Sequence, residues 1–124
     1  MATIQVKNIG KPDERRDFPH GHVEAIRIEG HELDRAVFEP GWRWSESVRP
    51  TAGTESCEFE HYAYVDSGRM HIRQNDGGEA EIGPGDVTLI PAGHDAWVVG
   101  DEPCVMLDLV GAAGYARLAT EGTL

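Results

Sequence analysis

From Gly53 to Gly111 the chain never runs far without a turn signal. Asp66-Ser67-Gly68, Asn75-Asp76-Gly77-Gly78, Gly83-Pro84-Gly85, Pro91-Ala92-Gly93 and the stretch 100–103 each interrupt it after a few residues. Glycine and Asn/Asp tolerate the positive φ of tight hairpin turns, and proline fixes φ. None of the segments between these turns shows a helical period. What remains is alternation, the signature of strands with one buried face. Many short strands at close spacing predict an all-β sandwich or barrel.

Within that stretch Cys57, Phe59, His61, Ala63 and Val65 fall on one face of an extended segment, and Glu58, Glu60, Tyr62 and Tyr64 on the other. Met70 and Ile72 point inward on the next strand, leaving His71 outward with Arg73. Further strands are predicted over 79–82, 87–90, 96–99 and 104–110. Upstream, Ile4 and Val6 predict a short opening strand over 1–9, and Pro12 and Pro19 a loop over 10–21. His20 and His22 lie beside Gly21 and read as surface. Strands follow over 23–28 and 33–38, the latter with Ala36 and Phe38 on one side. After the Pro40-Gly41 turn, Trp42 and Trp44 face the same way if the segment is extended, as core or as pocket wall. Residues 48–56 read as a connection, and from Gly111 onward as a tail or a single helical turn.

The 124 residues suit one domain, 1–124, with a barrel core over roughly 23–110 and a tail over 111–124. With 22 acidic against 11 basic residues the net charge is −11, which disfavours phosphate backbones and anionic lipid, so neither nucleic acid nor membrane is an expected partner. No apolar run has membrane-spanning length and the N-terminus lacks a signal-peptide core, so the cytoplasm is the expected compartment. Two cysteines, Cys57 and Cys104, are too few for a disulfide framework and read as free thiols.

Two spacings carry a family resemblance. Counting back from Gly68, His61, Cys57 and Glu55 occupy the acidic, second-histidine and first-histidine positions of G-x5-H-x-H-x3-E-x6-G. Gly85, Pro91 and Gly93 match G-x5-P-x-G-x2-H-x3-N, with Ala96 at its histidine, Gly100 at its asparagine and His94 two residues before Ala96. Together with the Gly83-Pro84-Gly85-Asp86 turn, these strings over roughly 36–110 resemble the cupin family. The resemblance implies a jelly-roll, or double-stranded β-helix, barrel whose inward residues converge on one cavity, and it implies a homodimer. Its scaffold glycines and prolines match well, whereas most of its ligand positions are substituted. The string from Pro40 to Glu46 also occurs in small single-domain bacterial cupins, some of which carry histidine where this chain has Ser47.

Cys57, His61, His94 and, at the edge, Glu55 are the candidate ligands for a divalent metal such as Zn, Fe, Mn or Ni, because thiolate, imidazole and carboxylate suit such ions. The competing reading makes Cys57 a small buried hydrophobe and His61 a hydrogen-bonded histidine. Trp42, Trp44 and Tyr64 are candidates to shape a small-molecule pocket. Cys104 has no histidine near it in sequence and reads as packing, and Asp86 as a turn residue bonding backbone amides. Two functions stay open: a module binding a small molecule, or a metal-dependent oxygenase, isomerase or lyase acting on a small polar or aromatic substrate. The scaffold hosts both, and the substituted ligand positions favour the first.

Overall fold

The computed structural model describes residues 3–110. They form nine strands and two one-turn helices: β1 Glu14–Phe18, β2 Gly21–Ile28, β3 His31–Phe38, α1 Trp44–Ser47, α2 Arg49–Ala52, β4 His61–Ser67, β5 Arg69–Gln74, β6 Glu79–Ile82, β7 Val87–Ile90, β8 His94–Val99 and β9 Cys104–Val110. Every pairing is antiparallel. A six-stranded sheet runs β1-β2-β3-β9-β4-β7 and a three-stranded sheet runs β6-β5-β8. This is the all-β architecture expected from the turn spacing, arranged as the jelly-roll barrel that the resemblance implied. The core lies between the inner faces, where Val23, Ala36, Ala63, Met70 and Ile72 meet Trp42 and Trp44.

The downstream strands fall where alternation put them, because their turns are enforced locally. Asp86 closes one of these turns, its carboxylate accepting the Gly83 N–H at 2.7 Å. The N-terminal expectation is corrected. Residues 3–8 form no strand, and Ile4 and Val6 are 90% and 85% exposed. The strand forms instead at Glu14–Phe18, inside the stretch read as loop. Its side chains are mostly charged, but it is paired along its own whole length with β2, from Glu14 opposite Ala25 to Phe18 opposite Gly21. Ladder hydrogen bonds therefore stabilise it without an apolar face. Ion pairs of Glu14 with Arg16 and Arg27, and of Arg15 with Asp17, occupy its charges, as suits an edge strand.

The second correction concerns residues 44–52, read as extended and then as connection. They turn twice as helix. Pro50 lies in the first turn of α2, where its missing N–H costs nothing, and Gly53 caps the end at φ +77°. The same Pro and Gly that signalled a loop thus bound a helix. The bend keeps both Trp42 and Trp44 buried. No helix among the described residues is long and apolar enough to cross a membrane. The tail or helical turn read from Gly111 onward lies outside the described residues.

Gly68 joins β4 to β5 at φ +77°, and a Cβ there would lie 2.2 Å from the Pro103 carbonyl oxygen and 2.5 Å from Cys104 Cα. Gly77, at φ +98°, has open space around it. Gly68→Ala is expected to lower unfolding free energy by roughly 2–4 kcal/mol, because clash adds to strain. Gly77→Ala is expected to cost about 1 kcal/mol. Urea denaturation of the two variants tests the ordering.

Candidate metal centre and cavity

Three short-range features of the chain bring the polar residues of the barrel together. Cys57 precedes β4 and forms an isolated bridge with His94 at the start of β8: its N–H donates to the His94 carbonyl at 2.8 Å, and the Gly93 N–H returns to the Cys57 carbonyl at 2.7 Å. Gly93 accepts the φ of +88° that this tight approach requires. His61 opens β4 on the same inward parity as Ala63 and Val65, so its ring turns toward the same place. One donor atom from each of Cys57, His61 and His94 lies within 4.8 Å of the other two, and all three residues are buried.

The second nitrogen of each imidazole decides what the first can do. His61 Nδ1 lies 2.6 Å from an Asp108 carboxylate oxygen on the neighbouring strand β9, and its Nε2 is 3.5 Å from Cys57 Sγ. His94 Nδ1 lies 2.7 Å from the Pro91 carbonyl oxygen. A carbonyl only accepts, so His94 Nδ1 carries the proton and Nε2 keeps its lone pair. Both rings therefore use Nδ1 for anchoring and leave Nε2 for the cluster, the arrangement by which outer partners orient metal-binding histidines. The rings meet edge-on, with centroids 5.4 Å apart.

Burial alone would keep the Cys57 thiol protonated, but contact with the His61 ring first, and then with the His94 ring, brings it down to about 6. Burial likewise disfavours charge on His61, yet the bonds to Asp108 and then to Cys57 raise it to about 10. Thiolate and imidazolium thus support each other across the 3.5 Å contact.

The cluster edges a cavity of about 40 Å³, lined by Asp34, Phe38, Trp42, Trp44, His61 and His94 among others. The volume holds roughly three waters. Its wall carries two buried polar residues, Asp34 and Trp42, 0% and 2% exposed: the Trp42 Nε1–H makes no hydrogen bond, and Asp34 meets the Glu32 carboxyl and, at 3.7 Å, Arg16 Nη2. An unbonded donor of this kind costs about 1–3 kcal/mol if left dry. Burial first, and then the neighbouring Glu32 carboxylate, push the Asp34 carboxyl up to about 8.

The sequence-based candidates divide. Cys57, His61 and His94 come together, and Trp42 and Trp44 line the cavity. Glu55 does not join them: its side chain is 90% exposed and pairs with Arg49, because it lies in the exposed link after α2. Tyr64 does not reach the cavity either. It is 43% exposed on the outer face opposite Val87, on the other parity from His61. Ser47 is buried in α1 and does not line the cavity. Cys104 is buried in the core, which pushes its thiol up to about 11. His71 stacks on Trp97 and bonds Glu79, away from the cluster. Two residues were missed, Asp34 and Asp108. Their signal was parity, since Asp34 shares a face with Ala36 and Phe38, and Asp108 with Cys104 and Met106.

A carboxyl whose folded pKa is raised keeps its proton while the unfolded chain loses it. Its contribution is whole below about pH 4 and is lost as pH climbs toward 8. Asp34→Asn is therefore expected to flatten the fall in stability of the metal-free protein between pH 4 and 8. Urea midpoints across that range, against the parent chain, test this.

A model of the cupin domain matches residues 47–110, more than half of the chain. No functionally curated protein matches it. Among solved structures, the polyketide cyclase RemF from Streptomyces resistomycificus superposes with a TM-score of 0.61 at 19% identity, over 87% of this chain and 79% of that one. An oxalate decarboxylase–formate complex from Lactobacillus farciminis gives 0.57 at 21%, over 79% of this chain. The present chain spans only 30% of that decarboxylase. A Rhizobium leguminosarum protein of unknown function gives 0.58 at 15%, over 88% of this chain and 97% of that one. At these identities the neighbours establish fold alone. Taken with the matched domain, they establish that the chain belongs to the cupin family.

Proposed function

We propose that this chain is a small-molecule-binding cupin that holds a divalent metal through Cys57 Sγ, His61 Nε2 and His94 Nε2. The observation that supports it is the shared orientation of the two histidines, each tied at Nδ1 and facing Cys57 with Nε2. One thiolate and two imidazoles form a soft, nitrogen-and-sulfur donor set. That set favours zinc, with iron and nickel next, over manganese, which prefers oxygen. The proton shared by Sγ and Nε2 would be displaced on binding. A bound metal with an open position would act as a Lewis acid toward a carbonyl or carboxylate ligand. Asp108 holds the His61 ring, the Pro91 carbonyl holds that of His94, and Trp42 and Trp44 wall the cavity.

Elemental analysis of protein prepared without a histidine tag is expected to find close to one equivalent of zinc per chain after reconstitution. Cys57→Ser and His61→Ala should each lower occupancy at least tenfold, while Glu55→Ala leaves it unchanged. Protein that stays metal-free after reconstitution overturns the metal reading and leaves the cavity as a purely organic pocket.

A homodimer belongs to the same proposal. The outer face of β4, β7 and β9 exposes Tyr62, Tyr64, Val87, Leu89 and Leu109, with Tyr62 opposite Leu89 and Tyr64 opposite Val87. A contiguous apolar face on so acidic a chain is the kind of surface a second copy covers. Light scattering is expected to give twice the chain mass. Leu89→Glu should shift it toward the monomer, and a monomeric parent chain would sink the idea.

A further inference from the structure

The cavity has a second polar pole that the metal-binding reading does not use. Asp34 on β3 stands in register with Asp108 on β9, which in turn stands opposite Ala63 on β4, two residues from His61. Asp34 therefore lies on the same inner face as His61, two interstrand spacings from Ala63, roughly 10 Å across the sheet, and both Asp34 and His61 line the one cavity. Its nearest cation, Arg16 Nη2, is 3.7 Å from Oδ2, beyond hydrogen-bond distance. Trp42 Nε1–H, in the same cavity wall, is unbonded and buried. Buried polar groups in a packed interior are almost always paired. Here a ligand, or the water it displaces, must supply the missing partner.

What satisfies these two groups is restricted. The indole N–H only donates, so it needs an acceptor. The Asp34 carboxyl shares its proton with the Glu32 carboxyl beside it, so toward the cavity it accepts. A hydroxyl offers both functions on one oxygen, whereas a methyl group offers neither. The room available, about 40 Å³, limits the occupant to a few heavy atoms. Its other end carries His61 and His94 of the cluster, and a metal held there would take a carboxylate.

We propose that the cavity selects a short-chain hydroxy acid, with its carboxylate at the Cys57–His61–His94 cluster and its hydroxyl at Asp34 and Trp42 Nε1. The inference rests on the metal-binding reading only for the carboxylate end. The hydroxyl end stands on Asp34 and Trp42. Every other polar group it invokes is already committed, His61 to Asp108 and His94 to Pro91. Site-specific discrimination of this kind is strong because a ligand lacking the hydroxyl leaves buried groups unpaired.

The test compares glycolate with acetate, which differ only by the hydroxyl, on zinc-reconstituted and metal-free protein. Dissociation constants would be read from amide shifts along the cavity wall, and the Trp42 indole N–H signal followed directly. Glycolate is expected to bind at least tenfold tighter than acetate and to move the Trp42 indole signal. Asp34→Leu should erase that preference while leaving acetate affinity unchanged. Trp42→Phe, which keeps the ring and loses the N–H, should reduce it and guards against Asp34→Leu failing to fold. Zinc uptake with no preference for glycolate, or a preference that survives both substitutions, overturns the proposal and leaves the metal site standing. Absence of zinc with an Asp34-dependent glycolate preference does the reverse. Absence of both overturns both.

Discussion

The hydrogen bond between His61 Nδ1 and Asp108 crosses from β4 to β9, two adjacent strands of the larger sheet. A buried imidazole is tolerated in an apolar barrel only when its nitrogens are committed. Asp108 commits one of them, and Cys57 meets the other at 3.5 Å. The cysteine is in turn fixed by its backbone bridge to His94, whose ring is anchored on Pro91. Removing Asp108 would therefore free the ring that organises the cluster and leave a buried partner unsatisfied. Charge on His61 and on Cys57 depends on the same chain of contacts, since burial opposes both.

Around this line the barrel separates its two chemistries by strand parity. Inward positions carry the cluster, the tryptophans and the two missed aspartates. Outward positions carry an apolar stripe on one sheet and charged pairs such as Arg69 with Glu81 on the other. The acidic excess thus stays mostly at the surface, where it is solvated. The few acids that turn inward, Asp34 and Asp108, do so beside groups that need them. The Trp97 ring, sandwiched by His71 and by the Arg43 guanidinium at 4.3 Å, closes the outer face of β8 without reaching the cavity.

How much of this could be read in advance differs by element. Strands β4 to β9 were legible because each is bounded by a turn whose glycine or proline has a local steric reason. Strand β1 was not legible, because its residues are charged and its stability comes from a partner strand that spacing does not reveal. The helical turns at 44–52 were obscured because proline and glycine mark loops and helix ends alike. At the site, Cys57 and His61 were legible from parity and spacing. Glu55 matched a ligand position in the resemblance, but the link that carries it turns toward solvent. Tyr64 was assigned to the pocket against its own parity, and the barrel followed the parity.

The sequence by itself determined an all-β chain, the face each strand buries and the cupin kinship, because period-two alternation and left-handed turn glycines are local properties of the backbone. Only the tertiary structure decided which inward groups meet. The His61–Asp108 bond joins residues on strands far apart in the chain, the Cys57–His94 bridge depends on how the approach to β4 meets β8, and Asp34 and the unbonded Trp42 N–H become notable only once the cavity closes around them. Register and barrel closure are long-range outcomes, and no short window of sequence contains them.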